Sequence, residues 1–360
     1  MTNIPIFKPE LTEEMKAAAV QAMDNEFFVM GESVHKFEEE FAKYIGVKHA
    51  VSTSSGTSAL QIALLALGLE KDGKVLTPAN SFIASSNSIL HAGGTPELVD
   101  IEPETGNIDT TRIRKDGISG FLPVHLYGNP CKIKEIVDFA QEKNLFVVED
   151  ASQAHGAEFL GKKIGSFGDA GCFSFYTTKN MTVVGDGGMI TTNNDEVAEN
   201  ARSLRDCGRG KSHYEHIHIG FTSRLNTINA AIGRVQLKYL DRWNEQRRRL
   251  ASVYRKNLPE EMQLKENGKA VYHLFAIKHD RRDKLAESLK QEGIQTMIHY
   301  PIPIHLQPIY KKLFGFKEGM FPVTEKFSQE VLSLPMYPSL GEENVKLICE
   351  KINSFLNGIK

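Results

Sequence analysis

Two residue types that invite a chemical reading stand 29 positions apart in this chain. Asp150 closes the aliphatic run LFVVED within EDASQAHG. An acid at the carboxyl end of a strand either meets a ligand or caps the helix that follows. Lys179 lies in FSFYTTKN, flanked by small hydroxyl residues and followed by the turn GDGG. It is a solvated surface cation or, if partly desolvated, an amine that gives up its proton and becomes a nucleophile. The segment SSGTSAL (54–60) adds an anion-binding pattern. Gly56 lets backbone approach a ligand closely, and Thr57 opens a helix whose free N–H groups favour phosphate. The plainer reading of that segment is an ordinary helix cap. Phe82, in TPANSFIAS, follows a strand end and is either a core ring or a cover for the face of a planar group.

One explanation joins all four. Pyridoxal phosphate (PLP) requires a lysine for its aldehyde, a carboxylate for its pyridine nitrogen, a phosphate cradle and a stacking ring.

Positioning these residues requires strand ends on one edge of a sheet. Short apolar runs at HAVSTS (49–54), KVLTP (74–78), ELVDI (97–101), GFLPVHL (120–126), LFVVED (145–150), AGCFSF (170–175) and GMITTN (188–193) read as strands. Helical stretches separate several of them, including ALQIALLALGL, SFIASSNSILHAGG and CKIKEIVDFAQEKN. Before the first strand, VHKFEEEFAKY places Phe37, Phe41 and Tyr44 on one helical face. The alternation predicts an α/β fold with a mostly parallel sheet covered by helices, its ligands beyond the carboxyl ends of the strands. A long amphipathic helix is expected from Asn226 to about Lys256, where its opening run NTINAAIG would leave an apolar patch in need of cover. Beyond it, VYHLFAIKH reads as a strand, with DKLAESLKQEG and NVKLICEKINSFL as helices. The expected division is a large cofactor-binding domain over 1–244 and a smaller C-terminal α+β domain over 245–360.

The 360 residues are 41% hydrophobic and 24% charged, an ordinary balance for a globular chain with a sizeable core. A net charge of −2 supplies no field for nucleic acid or an anionic membrane, so neither is expected as a partner. The four cysteines, at 131, 172, 207 and 349, show no C-x-x-C spacing, which speaks against a metal site or disulfide framework and fits a reducing cytoplasm. The opening MTNIPIFKPELTEEM lacks the pattern of a signal peptide, and no apolar run approaches the ~20 residues that span a bilayer.

Across nearly its whole length the sequence resembles the DegT/DnrJ/EryC1/StrS family of sugar aminotransferases, PLP enzymes of fold type I. The resemblance is carried by VMGESVHKFEEEFAKYIGVKHAVSTSSGTSAL, VVEDASQAHGA, CFSFYTTKNMTVVGDGGMI, GFTSRLNTINAAIG and HYPIPIHLQPIY. It implies that Lys179 is the Schiff-base lysine and Asp150 the pyridinium partner. It places Gln153 near the cofactor's phenolic oxygen, Gly56, Thr57 and Ser174 at the phosphate, and Phe82 on the ring. Thr222 stands where the family usually has an asparagine that reaches the neighbouring subunit's phosphate, and Thr177 where proline is common. Arg224, His299, Tyr300 and His305 resemble substrate-facing positions, with Arg224 and the His299-Tyr300 pair hinting at an acidic sugar. His125 and His155 read as structural.

The implied reaction is transamination from glutamate to a 3- or 4-keto nucleotide-diphosphate sugar, in a cytoplasmic homodimer with shared active sites. A sugar dehydratase of the same fold would carry histidine in place of Lys179. A non-catalytic regulatory protein on this scaffold would not need the cofactor constellation.

Overall fold

The computed structural model describes residues 3–114, 117–212 and 214–358. Two helices, α1 (Glu13–Asn25) and α2 (Glu32–Ile45), precede the first strand, β1 (His49–Thr53). The chain then alternates through α3 (Gly56–Ala66), β2 (Lys74–Pro78), α4 (Ile83–His91), β3 (Thr95–Val99), β4 (Gly120–Phe121), α5 (Ile133–Lys143) and β5 (Phe146–Asp150). A short hairpin, β6 (Glu158–Phe159) and β7 (Lys162–Lys163), leads to β8 (Ala170–Ser174), β9 (Gly188–Thr192) and α6 (Asp195–Arg205).

Seven of these strands form one sheet in the order β1-β9-β8-β5-β4-β2-β3. Neighbours from β8 to β3 pair in parallel, whereas β9 runs antiparallel to both β8 and β1. Successive residues of a strand serve opposite faces. Leu76, Phe121, Val147 and Phe173 enter the core beneath α2 and α5. Their neighbours Val75, Leu122, Val148 and Cys172 enter the core beneath α3, α4 and α6. The sheet is therefore buried on both faces, which is why its strands read as continuous apolar runs.

The expected strand GFLPVHL shrinks to two residues, because Pro123 has no N–H to give the ladder. The chain is picked up again only at an isolated bridge between Val124 and Asp150. Likewise VYHLFAIKH is strand only in its second half.

The long helix α7 (Thr227–Asn257) starts at the cap of Asn226, whose side chain accepts the N–H of Asn229 at 2.8 Å. Its opening run is not exposed as expected. Thr227, Ala230, Ala231, Ile232 and Gly233 are buried within the chain, with α1 and α2 packed along the helix. The apolar surface lies instead on the adjoining segment, where Phe27 is 85% exposed and Phe28 62%. Val29 bridges Asn226 there.

The remaining elements are β10 (Phe275–Lys278), α8 (Arg282–Gln291), α9 (Pro308–Phe314), α10 (Pro322–Glu330), β11 (Val331–Leu334) and α11 (Glu342–Asn357). Strands β10 and β11 pair antiparallel as a second sheet. Around them a further core gathers Leu250 and Tyr254 of α7 with Phe275, Leu332 and Ile348. The division expected after residue 244 thus falls inside an unbroken helix. Ile4 joins the same core from the other end of the chain, exchanging backbone hydrogen bonds with Gly293 and Gln295. Among the described residues, no helix is long and apolar enough to cross a membrane.

Candidate active site

Parallel strands place their carboxyl ends on one edge of the sheet, and the functional residues collect there. Gly56 follows β1, Phe82 follows β2, Asp150 ends β5 and Ser174 ends β8. Because β9 runs back against β8, the segment joining them, residues 175–187, must cross that same edge, and it carries Lys179. Strands β5 and β8 are neighbours, so residues 29 apart in sequence meet across one pairing.

A cleft of about 1760 Å³, open mouth included, occupies this edge. Gly56, Thr57, Phe82, Asp150, Gln153, Ser174, Lys179, His299 and Tyr300 all line it. Burial pulls the Lys179 amine down from its ordinary value to about 8, against the opposing pull of Asp150. The lysine sits among three imidazoles that burial, and then its own charge, keep unprotonated. His155 is pushed to about 3, His299 to about 4, and His273 well below its ordinary value.

Asp150 is only 5% exposed. Its Oδ2 accepts a hydrogen bond from the Ser85 hydroxyl at 2.7 Å, and its Oδ1 one from the Ser152 N–H at 3.1 Å. The carboxylate is thereby fixed on the wall of the cleft, and among the described residues no cation forms an ion pair with it.

At the other end, α3 begins at the cleft wall. Ser55 caps it, accepting the Ser58 N–H, and no acidic residue occupies the first turn. A Cβ on Gly56 would lie 2.6 Å from Ser174 Cβ, so only glycine lets the helix start so close to β8. The Phe82 ring stays 54% exposed in the cleft, with its nearest aromatic neighbour, Tyr300, at 5.8 Å between centroids.

Gln153 is oriented from both sides. Its Oε1 accepts the Tyr127 N–H at 2.6 Å, and its Nε2 donates to the Tyr300 hydroxyl at 3.2 Å. Tyr127 in turn donates from its hydroxyl to the His299 carbonyl, and His299 Nδ1 bonds the Ser333 hydroxyl at 2.9 Å. The segment bearing His299 and Tyr300 is thus tied to the loop after β5.

These residues fit PLP. A buried carboxylate, a partly desolvated lysine, a glycine cradle at a helix start and an uncovered aromatic ring share one cleft. PLP would be held through Lys179, Asp150, Gln153, Phe82 and the Gly56–Thr57–Ser174 cradle.

Three expected residues lie elsewhere in the chain. Thr222 is exposed and bonds the Cys207 thiol at 3.4 Å. Arg224 pairs with Asp206 at 2.6 Å, a carboxylate that also holds Arg209. Neither lines the cleft of its own chain. His305 is fully buried away from the cleft, bonding Glu325 at 2.9 Å with its ring edge-on to Phe321. A buried, carboxylate-bound imidazole has a structural duty, which removes the reason to expect substrate there. His125 is likewise internal: its Nδ1 accepts the Cys131 N–H, leaving the proton on Nε2 for Glu149 at 3.1 Å.

Sequence reasoning passed over Ser85, His273 and the N-terminal Ile6 and Phe7, all of which line the cleft. Ser85 was findable, since it sits three residues after Phe82 at the start of α4. Ile6 and Phe7 carry no local signal, because tertiary folding alone brings the N-terminal strap to the site.

Residues 9–353 match the family described as the DegT/DnrJ/EryC1/StrS aminotransferase family. Among curated proteins, a "pleiotropic regulatory protein" of Geobacillus stearothermophilus is 40% identical, the alignment covering 98% of each chain. The dTDP-3-amino-3,4,6-trideoxy-alpha-D-glucose transaminase of Streptomyces venezuelae is 38% identical over 96% of this chain and 93% of its own. Among solved structures, S. venezuelae DesV in complex with a ketimine intermediate matches with a TM-score of 0.95 and 35% identity, covering 99% of both chains.

Proposed function

The chain belongs to the DegT/DnrJ/EryC1/StrS aminotransferase family of PLP-dependent enzymes, and we propose on that premise that it aminates the 3- or 4-ketone of a nucleotide-diphosphate sugar. The observation that carries this reading is the pairing, in one cleft, of a lysine amine held near 8 with a buried, hydrogen-bonded carboxylate. When bound, PLP supplies the electron sink for breaking a Cα–H bond.

The chain's own residues do the rest. Asp150 holds a proton on the pyridine nitrogen from a position that Ser85 and Ser152 fix. Lys179 Nζ accepts the proton leaving the amino donor's Cα and returns it later, a role suited to an amine that titrates near neutral pH. The unprotonated His273 and His299 place no second cation beside it. Phe82 would cover the cofactor's face, and the free N–H groups of α3 would meet its phosphate.

Glutamate is the proposed amino donor, and a homodimer the proposed assembly. The exposed Phe27 and Phe28, adjoining the start of α7, supply an apolar surface of the kind a second copy would cover. Arg224 and Thr222, outside their own chain's cleft, are then available to the partner's. Four free cysteines support residence in a reducing cytoplasm.

The name of the Geobacillus relative keeps a regulatory reading in view, but a protein without chemistry to perform has no need of a depressed lysine beside a buried carboxylate. Lys179→Ala decides between them. It should abolish the visible absorbance of bound PLP together with transamination in a screen of 3-keto and 4-keto nucleotide sugars. A normal absorbance band in the variant would overturn the assignment.

A further inference from the structure

Lys179 also lines a second and smaller cavity. This cavity is bounded by the N-terminal strap (Phe7–Glu10), the lysine segment (Thr177–Asn180) and α7 at Gln236, Trp243 and Arg247. Three buried polar atoms without a direct partner belong to residues on its wall: Glu10 Oε1, Asn180 Oδ1 and Arg247 Nε. Each is otherwise well held. Asn180 donates from Nδ2 to Asn244 Oδ1 and to the Val271 carbonyl, at 2.9 and 2.8 Å. Arg247 donates from a terminal nitrogen to the Tyr272 and Met336 carbonyls, at 3.0 and 2.9 Å. Gln236 donates to the Glu10 carbonyl at 3.0 Å.

An unpaired buried polar atom is costly, so three on residues that line one cavity call for a common answer. Arg247 is 4% exposed and no described ion pair joins it to a carboxylate, while Glu10 is the acid whose charge it feels. The cavity's room, about 20 Å³, exceeds the roughly 10–15 Å³ that a water with two to four polar partners needs. One water would have the complementary set, accepting from Arg247 Nε and donating to Asn180 Oδ1 and Glu10 Oε1.

We propose that Glu10 is a positioning residue for Lys179, acting through a water shared with Arg247 and Asn180. The strap is anchored at both ends, by Ile4 and Ile6 to the second core and by Glu10 to α7. Phe7 borders both cavities alongside Lys179. The network clasps the strap against the residue next to the lysine and so limits where its amine can lie.

This inference rests on Lys179 binding PLP, and the test separates the two. Wild type, Glu10→Ala and Glu10→Gln are stripped of PLP, and the return of visible absorbance on adding it back is timed. The amide of Glu10→Gln keeps an acceptor oxygen, so it should stay within about threefold of wild type, whereas Glu10→Ala should be about tenfold slower or more, as loss of alignment predicts. Transamination by the reloaded Glu10→Ala should show a lower kcat with KM for the sugar unchanged, and a crystal structure of the holoenzyme should show a water bonded to all three atoms. Wild-type uptake speed in Glu10→Ala, an equal slowing in Glu10→Gln, an effect confined to KM or to melting temperature, or a dry cavity would each overturn the proposal alone. A wild type that takes up no PLP would overturn the functional reading as well.

Discussion

Ser85, on the first turn of α4, donates its hydroxyl proton to Asp150 at 2.7 Å and is itself bonded to Ser81 at the same distance. The hydroxyl chain fixes one carboxylate oxygen from the side of the helix that begins after Phe82. The proposed stacking ring, Phe82, and the hydroxyl that anchors the proposed pyridine partner, Asp150, are therefore set by the same turn of backbone.

Asp150→Asn should retain PLP and lose turnover. An amide cannot hold a proton on the pyridine nitrogen electrostatically, and a loss of ~4 kcal/mol would lower kcat about 10³-fold. Ser85→Ala leaves the charge in place but removes one charged hydrogen bond, so a fall of about tenfold is expected. Near-native kcat in Asp150→Asn would show that the acid only caps its loop.

The depressed lysine makes a stability prediction with a definite sign. Burial lowers the amine to about 8 from its ordinary 10.5. Between these values the unfolded chain binds more protons than the folded one, so stability rises with pH across that window. Below it both states are protonated and the whole penalty of burying the cation remains. Stripped of PLP, Lys179→Met should therefore melt above wild type at pH 7, and the gap should shrink as pH climbs from 8 to 10.5. A gap that stays constant over that range would contradict the depressed amine.

Gly56→Ala tests the cradle. The added methyl would sit 2.6 Å from Ser174 Cβ and 3.1 Å from its Cα, atoms that no rotamer change can move. A destabilisation of about 1–3 kcal/mol is expected, seen as a lower melting temperature. If the same spot receives the phosphate, as proposed, PLP affinity should fall too. An unchanged affinity at lowered stability would move the phosphate away from α3.

The proposed dimer is open to complementation. Lys179→Ala and Arg224→Ala, each inactive as a pure dimer, should regain activity when dissociated and reassociated together, since one of the two sites in each mixed dimer inherits both native residues. Mixed dimers that form and stay inactive would rule out a shared site, as would a fully active monomer.

The fold class and the family were legible in the chain, because both follow from local pattern, as were the strand ends at which a site could form. Apolar runs such as FVVED and AGCFS declare strands buried on both faces, and the residue after each run is placed by the run itself. Asp150, Gly56 and Phe82 stood out beside such runs and Lys179 by its small hydroxyl neighbours, whereas Ser174 was picked out only by the family resemblance. Tertiary structure alone decided which way β9 runs, that α7 crosses the expected boundary at 244/245, and that NTINAAIG is covered within its own chain while Phe27 and Phe28 are not. It also sent Arg224 to Asp206 and His305 to Glu325, and brought Ile6, Phe7 and Glu10 to the two cavities that the lysine lines. A side chain's partner across 18 residues, or across 170, depends on how packed layers close upon one another, and no periodicity in the chain records that.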